Sequence, residues 1–291
     1  MAEVKSTMVP DFEVKFLLND SQVLDFASSK PNDELRAVFN LPSKAIRMNV
    51  QFLDTSSREI YNAGWSPRIR KIEGESGYEL TYKKRYPIID DQADGAIDAS
   101  DLLTALNLAK DDGFDVTETN YDTQVEWGFQ KQTLSISRKK KVKKDSVGKK
   151  EMGLPDEDES KKLLTEEIPG KFDNWSFQKW GRSLLSQAVI YGPVLAERYE
   201  GTWEGVEVDI EVWPLRSKES EAGMESIVEI SFKSDNGNTA GDAHKALEIY
   251  LEEKGWLVPR DSLKTQLIMD RYGPQESDDS EEATGSYTTM A

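Results

Sequence analysis

Charged side chains two residues apart recur along this chain. Asp11, Glu13 and Lys15 alternate with Phe12, Val14 and Phe16, and Arg68 stands two residues from Arg70. The same spacing joins Lys83 to Arg85 and Asp209 to Glu211, while Glu229 and Lys233 flank Ser231. A strand turns successive side chains to opposite faces, so each charged set shares one face and the residues between them the other. Arg198, Arg138 and Glu126 stand on stretches of similar character. Two arrangements satisfy this pattern. The strands can lie outermost over helices, with charges of both signs solvated. Alternatively, the sheet closes into a barrel with a polar lumen, its apolar residues turned outward under helices. Lysines and arginines in a lumen require an anionic ligand, and carboxylates there require a metal, because unpaired buried charge is costly.

The elements that must carry these residues follow from periodicity. Strands are expected at 11–16, at Ile46 to Thr55, from about Trp65 to Ile72, over YELTYKKRYPI, and from Thr123 to Arg138. Three more are expected over VLAERYEGTW, VEVDIEVWPL and SIVEISFKS. PNDELRAVFNL reads as a helix capped by Asn32 or Asp33, and FDNWSFQKWGRSLLSQAVI as one helix capped by Asp173. Thr239 and Asp242 form a capping box for AGDAHKALEIYLEEK, which Gly255 closes. DSLKTQLIMDRY is a last short helix or extended piece. Asp90 to Asp101 places acidic residues at several positions of a calcium loop, but no helix precedes it. It reads as an acidic turn leading into a helix capped by Ser100.

Composition narrows the chemistry. The 291 residues contain no cysteine and one histidine, His244, so disulfides, thiolate chemistry and multi-histidine metal sites are excluded. A metal here would be held by carboxylates, which suits Mg²⁺ or Mn²⁺. His244 lies within the capping-box helix and reads as a packing or surface residue. The net charge of −17 argues against binding a nucleic-acid duplex. No stretch suits a membrane span or a signal peptide, so the expected location is cytoplasmic. The basic run RKKKVKKDSVGKK would make it nuclear if it serves as a localisation patch. That run and the acidic PDEDES after it read as a mostly unstructured charged loop at about 139–167. Residues 273–291 read as a disordered acidic tail.

Three motifs in order carry a resemblance. Asp11-x-Glu13-x-Lys15 resembles the ExExK signature of the CYTH superfamily, the triphosphate tunnel metalloenzymes. FLDTSSREIYNAGWSPRIRK is similar to that family's segment ending in Arg-x-Arg, here Arg68 and Arg70. GYELTYKKR resembles the strand that follows, with Lys83 as its lysine, and VEVDIEVWPL and SIVEISFK resemble the closing acidic strands. The likeness spans roughly residues 9–272, read as a single domain with the charged loop as an insertion. It implies an α+β fold, an eight-stranded antiparallel β-barrel whose tunnel is covered by helices. It also implies a small phosphorylated substrate and a metal-dependent hydrolase of inorganic or organic triphosphates. The phosphates would be held by Lys15, Arg68, Arg70, Lys83, Arg85, Arg198 and Lys233. The metal, Mg²⁺ or Mn²⁺, would be held by Glu13, Asp209, Glu211 and Glu229, with Asp11 in support. Glu13, Lys15, Arg70 and Glu211 would carry catalysis. Two departures thin the acidic set: Asp11 stands where the signature has glutamate, and Ser231 where a second acidic residue is frequent. Two alternatives stay open, the second of them favoured by these departures. One is an enzyme acting on an organic di- or triphosphate by diphosphate elimination or cyclisation; the other is a non-catalytic phosphate-binding module.

Overall fold

A computed structural model describes residues 8–89, 99–114, 121–143, 148, 150–218, 223–261 and 263–273. In chain order the strands are β1 (Asp11–Leu18), β2 (Ile46–Asp54), β3 (Trp65–Ile72), β4 (Tyr78–Ile88), β5 (Asp122–Trp127), β6 (Gln132–Val142), β7 (Val189–Trp203), β8 (Val206–Arg216), β9 (Met224–Ser234) and the two-residue β10 (Leu257–Val258). Helices α1 (Asp20–Val23), α2 (Asp33–Val38), α3 (Glu59–Asn62) and α4 (Ala99–Asp111) belong to the first half. Helices α5 (Glu157–Glu166), α6 (Gly170–Asp173), α7 (Trp180–Ser186), α8 (Gly237–Glu253) and α9 (Lys264–Tyr272) belong to the second. Among the described residues no helix is long and apolar enough to cross a membrane.

The sheet closes on itself. Its order is β1-β5-β6-β4-β3-β2-β7-β8-β9, and β9 pairs back onto β1, while β10 adds a short edge to the end of β1. This is a nine-stranded mixed barrel, not the expected eight-stranded antiparallel one. The departure lies at β5, which runs parallel to β1, with Glu13 opposite Glu126. A parallel neighbour needs a long crossover, and the connection from Ile88 to Asp122, which includes α4, supplies it.

Register fixes what faces inward. Residues opposite each other share a face, and the pairs run continuously round the barrel. Glu13 faces Lys233, Lys15 faces Ser231, Asp209 faces Ser231, and Glu211 faces Glu229. On the other side Arg70 faces Glu79, Lys83 faces Ser137, and Arg85 faces Ser135. The charged alternation therefore points into the lumen, and the solvated-face alternative does not hold. Val14, Phe16, Leu80, Tyr82, Ile136, Val208, Ile210 and Ile230 point outward and join the large core beneath the helices.

β2 inverts the pattern. Its apolar residues Met48, Val50 and Phe52 were expected to turn outward, yet Val50 lies opposite Arg70 and Phe52 opposite Arg68, facing inward. With Leu17, Val194, Trp213, Ile227 and the helical Ile268 and Met269 they form a second core. One end of the lumen is thus filled by apolar side chains and closed by α9. The outward residues of β2 are the polar ones. Asn49 donates to the Met152 carbonyl, and Gln51 donates to the Pro155 carbonyl and to Ser160 Oγ at 2.8 Å.

That contact corrects the unstructured reading of 139–167. β6 runs on to Val142, and α5, capped by Asp156, buries Leu163 and Leu164. Compositional charge concealed a short amphipathic helix. The expected single helix after Phe172 is two, α6 and α7, separated by residues 174–179; Asp173 accepts from the Arg182 amide at the start of α7. Asn32 caps α2 as expected. The capping box at Thr239 is not used, since α8 starts at Gly237 with Asn236 as its cap. Likewise α4 begins at Ala99, so Ser100 lies inside it. His244 is a packing residue, stacked on Trp127 and hydrogen-bonded to the Gly128 carbonyl at 2.8 Å. Most of the acidic turn from Asp90 to Asp101 and the tail from 274 onward lie outside the described residues, as does part of the basic run.

Candidate active site in the barrel lumen

The inward faces meet in a cavity of about 290 Å³, near the lower end of small-ligand pockets, roughly 300–1,000 Å³. Among the described residues its lining holds eleven lysines and arginines against six carboxylates, an excess of five positive charges. The whole chain carries −17. The sequence therefore concentrates its cations where β1, β3, β4, β7 and β9 converge.

Three charge clusters organise the wall. Around β5, the buried Glu126 takes Lys83 Nζ at 2.5 Å, Lys15 Nζ at 3.1 Å and Arg85 Nε at 3.6 Å. Lys15 also reaches Glu13 at 3.2 Å. One carboxylate thus serves three cations. Burial opposes ionisation of Glu126, but Lys15, Lys83 and Arg85 hold it well below the usual carboxylate range. The cost falls on Lys83: burial, reinforced by Arg85 and Lys15, lowers its ammonium to about 8. On β3, Arg70 donates to Glu79 at 2.7 Å, while Arg68 stands 3.9 Å from the same carboxylate. Burial and the neighbouring Arg70 lower Arg68 to about 10. The Nε atoms of Arg68, Arg70 and Arg85 are all buried without a hydrogen-bond acceptor. The third cluster joins β7, β8 and α9. Arg198 grips Glu211 at 2.8 and 3.0 Å and lies 3.8 Å from Asp209. Lys264, the first residue of α9, contacts Glu211 and reaches Glu229 at 2.8 Å.

No protein-family model and no curated protein matches this chain. Several solved structures are similar to it. A candidate adenylyl cyclase from Hippeastrum, described as having a dominant triphosphatase activity, is 12% identical; the match covers 89% of this chain and 94% of that one at a TM-score of 0.45. A candidate adenylate cyclase from Bacillus halodurans is 13% identical over 88% of this chain and 96% of its own, at a TM-score of 0.45. Another, from Vibrio parahaemolyticus, is 9% identical over 90% and 99%, at 0.42.

Of the residues that the sequence proposed for phosphate or metal, all but Asp11 line this one cavity: Glu13, Lys15, Arg68, Arg70, Lys83, Arg85, Arg198, Asp209, Glu211, Glu229 and Lys233. Ser231 lines it too, so the phase of β9 is as read. Asp11, at the exposed start of β1, does not line it. Arg138 lies opposite Tyr82 and faces outward. The sequence reading places Glu79 on one face with Lys83 and Arg85 but gives it no role. It passes over Lys264, Asp261 and Arg260, which lie beyond the last long strand where no alternation marks them.

The carboxylates as placed do not fit a resident divalent ion. Glu211 commits one oxygen to Arg198 and the other to Lys264 and Trp213 Nε1. Lys264 already occupies Glu229, and Glu13 and Glu126 are turned onto Lys15. Among the described residues no three carboxylates or histidines converge into a metal-donor set.

Proposed function

We propose that this protein is an enzyme that takes a triphosphate compound into its barrel and hydrolyses it. One observation carries the reading: the cationic excess of the lumen, with the guanidinium Nε atoms of Arg68 and Arg70 buried and lacking acceptors. A triphosphate carries about four negative charges, and stabilising the charge on transferred and departing oxygens is the main catalytic demand of P–O cleavage. Arg68, Arg70 and Arg85 on adjacent strands, with Lys15 and Lys83, supply fixed donors for that purpose. The substrate is inorganic or organic triphosphate, free or as its Mg²⁺ or Mn²⁺ complex.

A second reading is binding without cleavage. It is favoured by Lys264, which holds the carboxylates that the resemblance assigns to a metal. A screen of phosphate release from inorganic triphosphate, nucleotides, thiamine triphosphate and organic diphosphates, with and without each metal, separates the two.

Binding itself has a direct test. Ligand at a hundredfold its Kd adds about 2.7 kcal/mol to the native state, a rise of roughly 4–5 °C in Tm for a chain of this size. Inorganic triphosphate is expected to produce this shift, and Arg70→Ala to weaken the affinity at least tenfold by removing a donor from the wall. An unchanged melting curve at millimolar triphosphate, with and without metal, would count decisively against the reading.

A further inference from the structure

Glu211 and Glu229 lie directly opposite each other on β8 and β9, both turned into the lumen. Their side chains are only 8% and 7% exposed. Two carboxylates paired across a ladder repel, and burial magnifies the repulsion. A proton on one, or a cation that sits between them, relieves this. Lys264 is such a cation: its ammonium contacts both, and it also lies 4.9 Å from the centre of the Trp213 ring. Arg198 supplies the second positive charge. Lys264 and Arg198 offset the charges of Glu211 and Glu229, with Asp209 3.8 Å beyond on Arg198, and a divalent ion arriving here would find no free face on Glu211.

Lys264 is held in place at both ends of its helix. Before α9, Asp261 accepts from the amides of Phe129, Gln130 and Lys131 at 2.7–3.0 Å, which fastens the segment to the β5–β6 turn. A Cβ at Gly128 would come within 1.9 Å of that carboxylate, so any larger residue there would push Asp261 off these amides. Along α9, Ile268 and Met269 are fully buried in the second core. At its far end Arg271 pairs with Glu225 and donates to the Arg216 carbonyl, and Arg58 donates to the Met269 carbonyl.

We propose that Lys264 is the resident cation of the Glu211–Glu229 pair and keeps divalent metal out of the ligand-free protein. A tethered ammonium at high effective concentration competes with any ion arriving from solution. Removing the charge while keeping the length and apolar stem opens the pair to metal. This rests on the lumen geometry alone and not on the triphosphate reading, since its test contains no phosphate.

The test is Mn²⁺ titration of the full chain, followed by calorimetry and by the Mn²⁺ electron-spin resonance signal. Wild type and Lys264→Arg are expected to bind no Mn²⁺ below millimolar concentration. Lys264→Met is expected to bind at least tenfold more tightly than wild type, and Lys264→Met with Glu229→Gln to lose that gain. Micromolar Mn²⁺ binding by wild type would overturn the proposal, and so would a folded Lys264→Met with no gain. Should Lys264→Met not fold, wild type and Lys264→Arg still decide, because micromolar binding by either refutes exclusion and its absence in both supports it.

Discussion

Glu126→Gln is expected to lower Tm by roughly 5–8 °C, the equivalent of about 3–5 kcal/mol for one partner lost from a buried ion cluster. Glu126 is 4% exposed and serves Lys15, Lys83 and Arg85 together. Glutamine matches its shape, so the loss isolates charge from packing. The amide nitrogen would point a donor at a cation, and the amide oxygen offers only a weak dipole to the other two. The cationic excess of the cavity would rise from five to six. Triphosphate should therefore rescue the variant by more than it stabilises wild type, because the ligand takes over the role of the missing carboxylate. Thermal melts of both proteins with and without inorganic triphosphate measure both effects. A variant melting within a degree or two of wild type would mean that the three cations are solvated and that the cluster contributes little.

The same cluster shows why this lumen was legible in the sequence. A strand repeats every two residues, so spacing alone assigns Glu13 with Lys15, Arg68 with Arg70 and Lys83 with Arg85 to common faces. Closure of the sheet brings those faces together, and the outward apolar partners of β1, β4 and β8 give the barrel its outer core. Two features escaped for definite physical reasons. On β2 the alternation was visible but its direction was not, because the polar Asn49 and Gln51 are covered by residues 152–160, far away in sequence. A period of two cannot say which face meets which neighbour. Lys264 escaped because helix α9 reaches the lumen through its first residue, and a lysine at a helix start carries no signal of burial. The resemblance to tunnel metalloenzymes named the carboxylates but not the cation that the fold places on them.

Triphosphate affinity is expected to weaken as pH rises above about 8, by up to tenfold per unit, and Lys83→Arg is expected to remove that dependence. Lys83 is the weakest-held proton of the Glu126 cluster, since burial, Arg85 and Lys15 lower its pKa to about 8. Below that value the ammonium is present and the ligand meets a fully charged wall. Above it the free protein loses the proton while the anion favours regaining it, so each further unit of pH weakens binding. The loss ends where pH passes the higher pKa that Lys83 acquires beside the phosphates. Neighbouring Lys15 is shifted the other way: burial would lower it, but Glu126 and Glu13 raise it, so it stays charged through this range. Arginine at position 83 stays protonated through this range. Its profile should be flat between pH 7 and 9.5, even where the longer fork lowers affinity overall. Calorimetric titration with inorganic triphosphate across that range, in buffers of differing ionisation enthalpy, also counts the protons taken up. An affinity for wild type that is constant to pH 9.5, with no proton uptake, would place Lys83 outside the phosphate site.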